Sequence, residues 1–214
     1  MEIDVARQVG AVVREVKARV HQGVEARVVV ATRTYDTTVE DLWDALTNPE
    51  RIPRWFLPVS GDLTLGGRYQ LQGNAGGTIT ACVPPRSLSL TWEFAEQVSW
   101  VNVTLRSAGG AARLELEHIA PVNEFWDQYG PGAVGVGWEL SLLGLDRHLA
   151  SGVAVDPAQF QAWSMSDEGK AFARASAAGW GEAHAALDGD PEAARAAAAR
   201  TAAFYTGEPP PAGA

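Results

Sequence analysis

The chain has 214 residues, 46% of them hydrophobic, enough to fill one core with material left over for a further subdomain. Seventeen basic against twenty-six acidic residues give a formal charge of −9, and the basic residues are scattered, so phosphates are repelled on average and nucleic acid is excluded as a partner. The lone cysteine, Cys82, rules out an internal disulfide and a thiolate zinc cluster; with no basic leader before an apolar block and no run near the ~20 apolar residues that span a bilayer, the expected setting is cytoplasmic, with no membrane partner.

In chain order, Val5, Val9, Val12, Val13, Val16 and Val20 keep one stripe on a helical face, which predicts an amphipathic helix over residues 1–22. VEARVVVATRTYDT then switches to a period near two and is rich in β-branched residues, which suits a strand. Thr38 is placed to cap a helix over VEDLWDALTN, with Glu40 and Asp41 in its first turn. Pro49 and Pro53 interrupt PERIPRWF, a short helix or turn that delivers Trp55 and Phe56 to something apolar.

From 61 to 120 the segments GGRYQLQG, GTITACV, LSLTWEF, SWVNVTLRS and ARLELEHI, separated by turn signals, read as an antiparallel meander. Alternation puts Leu88, Leu90, Trp92 and Phe94 on one side of their strand. It likewise groups Val101 with Val103 and Leu105, and Leu114 with Leu116 and His118, and turns Arg113, Glu115 and Glu117 to water. A sheet apolar on one face needs a cover. AVGVGWELSLLGLDRHLA supplies it, with Val134, Trp138, Leu142, Leu145 and Leu149 at helical spacing. Beyond it, Ser166 caps a helix with Phe172, Trp180, Ala183 and Leu187 on one side, and Asp190 with Pro191 opens another that closes before Gly207. This alanine-rich extension over 156–206 either packs back on the core or supports a homodimer, and 207–214 are expected to be disordered.

GPGAVGVGW, at 130–138, places Gly130, Gly132 and Gly135 at G-x-G-x-x-G spacing, with Asp156 as a conceivable ribose-binding acid. That fingerprint belongs at the end of a buried strand in a parallel βαβ unit, whereas an antiparallel meander precedes it here, so the nucleotide reading is set aside. Gly130 and Pro131 become the turn that starts the covering helix. Gly135 and Gly137 become thin places on it, where the sheet or a ligand comes close.

His118 is the one histidine that alternation points into the apolar face, as a proton donor or acceptor for a ligand or as an ordinary buried histidine. His21, His148 and His184 lack metal-ligand spacing and read as surface residues. Ser99 and Ser141 lack a G-x-S-x-G elbow, and Cys82 reads as a packed thiol. The eight tryptophans are the stronger signal: Trp55, Trp92, Trp126 and Trp138 suit either a filled core or the wall of a cavity. Asp127 and Tyr129, in FWDQYGPG, suit either a gate or a connecting turn. Neither a cofactor nor a metal is implied.

TRTYDTTVEDLWDALTNPERIPRWF, the glycine pair of LGGRYQL, PPRSLSLTWEF, LELEH and GVGWELSLLGL together resemble the activator of heat-shock protein 90 ATPase homologue family. That family belongs to the START-like (SRPBCC) superfamily, which includes polyketide cyclases and plant pathogenesis-related allergens. The resemblance runs from about Arg27 to Leu149, with Trp43, Trp55, Gly67, Trp92 and Trp138 at the family's recurring positions. It implies an α+β helix-grip fold over 24–152, a curved antiparallel sheet wrapped around a long C-terminal helix with an apolar cavity, and says nothing about either end of the chain. The function expected is binding of a small hydrophobic molecule by Trp55, Phe56, Tyr69, Trp92, Phe94, His118, Trp126, Tyr129 and Trp138, without evident catalytic machinery. The alternatives are a cyclase or hydrolase-like enzyme using His118 as acid or base, and a chaperone-associated interaction protein.

Overall fold

A computed structural model describes residues 3–209. Seven helices and eight strands follow in the order α1 (Val5–Gly10), β1 (Val12–His21), β2 (Val24–Tyr35), α2 (Val39–Thr47), β3 (Val59–Gly61), β4 (Arg68–Leu71), β5 (Gly76–Val83), β6 (Ser87–Phe94), β7 (Gln97–Ala108), β8 (Ala111–Pro121), α3 (Glu124–Tyr129), α4 (Gly132–Ser151), α5 (Pro157–Ser164), α6 (Asp167–Asp188) and α7 (Pro191–Thr206). The strands form one antiparallel sheet in the order β1-β2-β8-β7-β6-β5-β4-β3. The chain divides into two compact units. One holds the residues up to Ala31, Pro121–Leu140 and those from Asp156 onward; the other holds Thr32–Ala120 and Ser141–Val155.

The amphipathic helix expected over 1–22 is a correction. Only Val5–Gly10 is helical, capped by the Asp4 side chain, and Val12–His21 is a strand. Val12, Val16 and Val20 are four apart, a spacing that fits a period of two as well as 3.6, so the valines mark a strand face as readily as a helix face. The decisive signal is the turn: Gln22 and Gly23 both have positive φ, 49° and 84°, the geometry of a two-residue hairpin.

In the second unit Thr38 caps α2 as expected, accepting from the Asp41 amide at 3.1 Å. Arg51 closes the far side of this segment on the Asp41 and Asp44 carboxylates at 2.7 and 2.9 Å. A single 3-10 turn, Ile52–Arg54, then presents Trp55 and Phe56, whose rings stack at 5.4 Å. The half of α4 in this unit lies on its sheet. Tyr35 donates to the Leu142 carbonyl at 3.3 Å, and buried Arg33 pairs with Asp146 at 2.8 Å. Leu142, Leu143 and Leu145 are buried there, and at Gly144 an added Cβ would stand 2.6 Å from the Trp55 carbonyl.

In the first unit α6 packs on β1 and α7, and α7 packs on α3. Ser166 caps α6 and Asp190 caps α7, as expected, and Gly189 and Gly207 end them with positive φ. Helix α5 was not expected, although Asp156 caps it and Pro157 opens it in the same cap-and-proline pattern that marks α7. Trp180 and Phe172 on α6 are fully buried, each contributing about 2–3 kcal/mol of transfer free energy. Of the tail expected to be disordered from 207, Gly207 caps α7 and Glu208 is held by Arg174, a correction to that expectation; residues 210–214 lie outside the described residues.

The glycine run at 130–138 belongs to this unit. Gly130, with φ of 61°, makes the turn between α3 and α4. A Cβ at Gly135 would overlap the Trp180 indole, and one at Gly137 would come within 3.0 Å of the Tyr205 hydroxyl. What approaches these thin places in the first unit is the helical pair.

Candidate functional site

The register of the second unit's sheet aligns its inward residues in rows. Ile79 on β5 pairs with Leu90 on β6, Leu90 with Val101 on β7, and Val101 with His118 on β8. In the neighbouring row Tyr69 on β4 pairs with Gly77 on β5, and Trp92 on β6 with Ser99 on β7. Residues opposed in a ladder share a face, so Tyr69, Trp92, Ser99 and His118 look out from one side; for Trp92 and His118 this is the apolar face that alternation within their strands predicted. Gly77 is glycine because a Cβ there would strike the Thr91 carbonyl, and its bare backbone leaves no side chain beside Tyr69.

Burial changes along these rows. Val101, Val103 and Leu105 on β7 and Leu114, Leu116 and His118 on β8 are buried, while Leu88, Leu90 and Trp92 on β6 are only half-buried. Phe56, Leu88, Leu90 and Trp92 pack around the buried cluster of Tyr69, Leu71 and Ile79, and Cys82 lies there as the packed thiol that was expected. Large apolar side chains on the same face as a filled core therefore keep accessible surface.

The polar groups on this face are few and directed. His118 is 4% exposed and its Nε2 lies 2.9 Å from the Ser99 hydroxyl, which itself donates to the Trp92 carbonyl at 3.1 Å. The Ser99 hydroxyl thus lies between the Trp92 carbonyl and the imidazole, and the direction of the His118–Ser99 hydrogen bond follows the imidazole tautomer. Burial pushes the His118 pKa down to about 4, so the ring is neutral at neutral pH. The Trp92 ring meets the imidazole edge-on at 6.1 Å. Tyr69 donates its hydroxyl to the Thr91 carbonyl at 2.8 Å, and burial raises its pKa.

The remaining candidates are placed differently. Trp55 donates its indole N–H to the Ala45 carbonyl at 2.9 Å, fastening the 3-10 turn to α2. Phe94 shares the alternation of β6 but is 55% exposed, next to the hairpin made by Ala95 and Glu96. Trp126, Tyr129 and Trp138 belong to the first unit. There Trp126 packs edge-on against His184 at 5.6 Å, Tyr129 lies between Phe125 and Phe204, and Trp138 is half-buried on α4. Asp127 is exposed on α3.

Two histidines read as surface residues are not. His148 is 1% exposed, its Nδ1 3.0 Å from the Val153 carbonyl, where α4 ends over its own following loop. His184 is largely buried, with Nε2 2.9 Å from the Asp188 carboxylate. Both lie on helices whose neighbours could not be read from local spacing. Sequence reasoning also passed over Glu139, which is buried on α4 and held bidentately by Arg14 of β1 at 2.7 Å.

The family model described as activator of Hsp90 ATPase homolog 1-like protein matches residues 36–150, more than half of the chain. The chain belongs to that family. Within this Hsp90-activator-like family it is similar to CalU16 from Micromonospora echinospora. The crystal structure of CalU16 is 34% identical over 78% of this chain and 97% of that one, with a TM-score of 0.62. The solution structure of the same protein is 30% identical over 92% of this chain and 94% of that one, with a TM-score of 0.64. DynU16, from the dynemicin biosynthetic locus, is 21% identical over 59% of this chain and 48% of that one, with a TM-score of 0.53, a likeness of fold alone. No curated protein matches the chain. The fold is thus of the α+β START-like class expected from the sequence.

Proposed function

We infer that this family member binds a small, largely hydrophobic molecule on the inward sheet face of its second unit. The observation that carries the reading is the half-burial of Leu88, Leu90 and Trp92 on a face whose neighbouring strands are filled. Apolar and aromatic walls with a few placed polar groups make a ligand site. Phe56, Tyr69, Trp92 and His118 supply the nearest walls, with Trp55 stacked on Phe56 and Phe94 at the exposed end of β6; Trp126, Tyr129 and Trp138, which belong to the first unit, are left out of this site. Neutral His118, buried on this face beside Ser99 and Trp92, serves as the polar group that orients a ligand. A cytoplasmic setting, in which Cys82 stays reduced, suits this role.

Burial makes His118 a weak base at neutral pH, poorly set to withdraw a proton from Ser99 at 2.9 Å or from a ligand. Binding without turnover is therefore the reading favoured over a cyclase or hydrolase. A thermal-shift screen of neutral lipophilic molecules, with hits checked by native mass spectrometry, tests it. A one-to-one binder at a hundred times its Kd should add about 2.7 kcal/mol of stability, and a screen without any binder counts against the site.

A further inference from the structure

Where α3 ends beside α7, the first unit has a separate surface pocket of about 330 Å3, whose lining includes Gln128, Tyr129, Arg200, Ala203 and Phe204. Its walls are aromatic. Tyr129 lies 4.8 Å from Phe125 and 5.8 Å from Phe204, both at tilted angles. Phe204 is 61% exposed and Phe125 48% exposed, so two large rings of one cluster stand in water, an arrangement that marks an interaction site more often than a structural one.

The same pocket holds a cation. Arg200 donates Nε to the Gln128 carbonyl at 2.5 Å, which fixes the plane of its guanidinium, and no ion pair among the described residues includes it. The carboxylate that also lines the pocket, Glu208, is already compensated: Arg174 donates to it at 2.6 and 2.7 Å, Lys170 lies at 3.6 Å, and the Arg174 hydrogen bonds hold its pKa below the usual range. In a chain with a formal charge of −9, an arginine that has no carboxylate partner among the described residues and lines one pocket with Tyr129 and exposed Phe204 is a specific feature.

We propose that this pocket binds a flat aromatic carboxylate, with its rings against Tyr129 and Phe204 and its carboxylate on the Arg200 guanidinium. A planar guanidinium matches a carboxylate with two parallel N–H donors, and aromatic rings pack favourably when offset or tilted. The volume is at the lower end of the roughly 300–1,000 Å3 of small-molecule sites, which suits one or two fused rings.

The probe is 2-naphthoate, titrated into the full chain by calorimetry beside the neutral 2-naphthalenemethanol. The site predicts saturable binding of the acid, at least tenfold weaker binding of the alcohol, and a further loss as salt is raised. Phe204→Ala and Arg200→Gln should each weaken the acid at least tenfold. Phe204 is exposed, so its variant keeps the fold, which a thermal melt verifies even if Arg200→Gln loosens the contact with Gln128. Trp92→Ala should leave 2-naphthoate binding unchanged, which separates this pocket from the sheet face. No binding at millimolar concentration, or binding that survives both pocket variants, overturns the proposal.

Discussion

At the scale of single residues, His118 shows how burial sets a proton equilibrium. The unfolded ring takes a proton near pH 6.5, the folded ring only near 4, because desolvation disfavours the charged form. Between those values the unfolded state binds more protons, so stability falls as pH drops from about 6.5 towards 4, by up to about 3 kcal/mol. Urea melts across that range should show the slope, and His118→Gln should flatten it. Asp44, Glu93 and Glu208 act lower still. Hydrogen bonds from Arg51, Arg68 and Arg174 hold their pKa values down, so the stability they add is present above the ordinary carboxylate range and is lost below it. A second residue-scale prediction concerns the β6–β7 hairpin, where Ala95 and Glu96 take φ of 48° and 64°. Left-handed backbone costs a side chain roughly 1–2 kcal/mol, so Ala95→Asn with Glu96→Gly should raise stability by about 1 kcal/mol, read as a rise in Tm of about 2–4 °C.

At the scale of elements, α4 and its glycines set how closely the helical pair can approach within the first unit. Alanine is favoured over glycine inside a helix by about 1 kcal/mol, yet Gly135→Ala would drive a Cβ into the rigid Trp180 indole, where overpacking costs about 1–3 kcal/mol. Gly137→Ala meets only the Tyr205 hydroxyl at 3.0 Å, which donates to the Ala133 carbonyl at 2.7 Å, a milder contact than the indole overlap and one that the helix propensity of alanine offsets. Thermal melts should therefore show Gly135→Ala destabilised and Gly137→Ala near neutral. Glu139→Ala would leave Arg14 charged and half-buried without its partner, a loss of about 3–5 kcal/mol. These contacts were not legible in the sequence, because helical spacing says which residues share a face and not which distant element meets it. The same limit explains His148 and His184. Strand β1 was misread for a different reason: valines four apart satisfy both periods, and the turn at Gln22 and Gly23 was the signal to weigh.

At the scale of the whole molecule, the meander, the caps at Thr38, Ser166 and Asp190 and the long helix over 132–151 were all legible, since each rests on local chemistry. Strand alternation also placed Trp92 and His118 on one face, which the register bears out. Trp126 and Tyr129 could not be placed in this way, because nothing local tied them to Phe204 or His184. No helix among the described residues is long and apolar enough to cross a membrane. The half-buried face around Trp92 is proposed to receive a small apolar ligand. A fluorescence titration with the neutral probe N-phenyl-1-naphthylamine tests it most directly. Saturable one-to-one enhancement is expected, weakened at least tenfold by Trp92→Ala and unchanged by Arg200→Gln; no saturable binding, or binding indifferent to Trp92→Ala, would rule the site out.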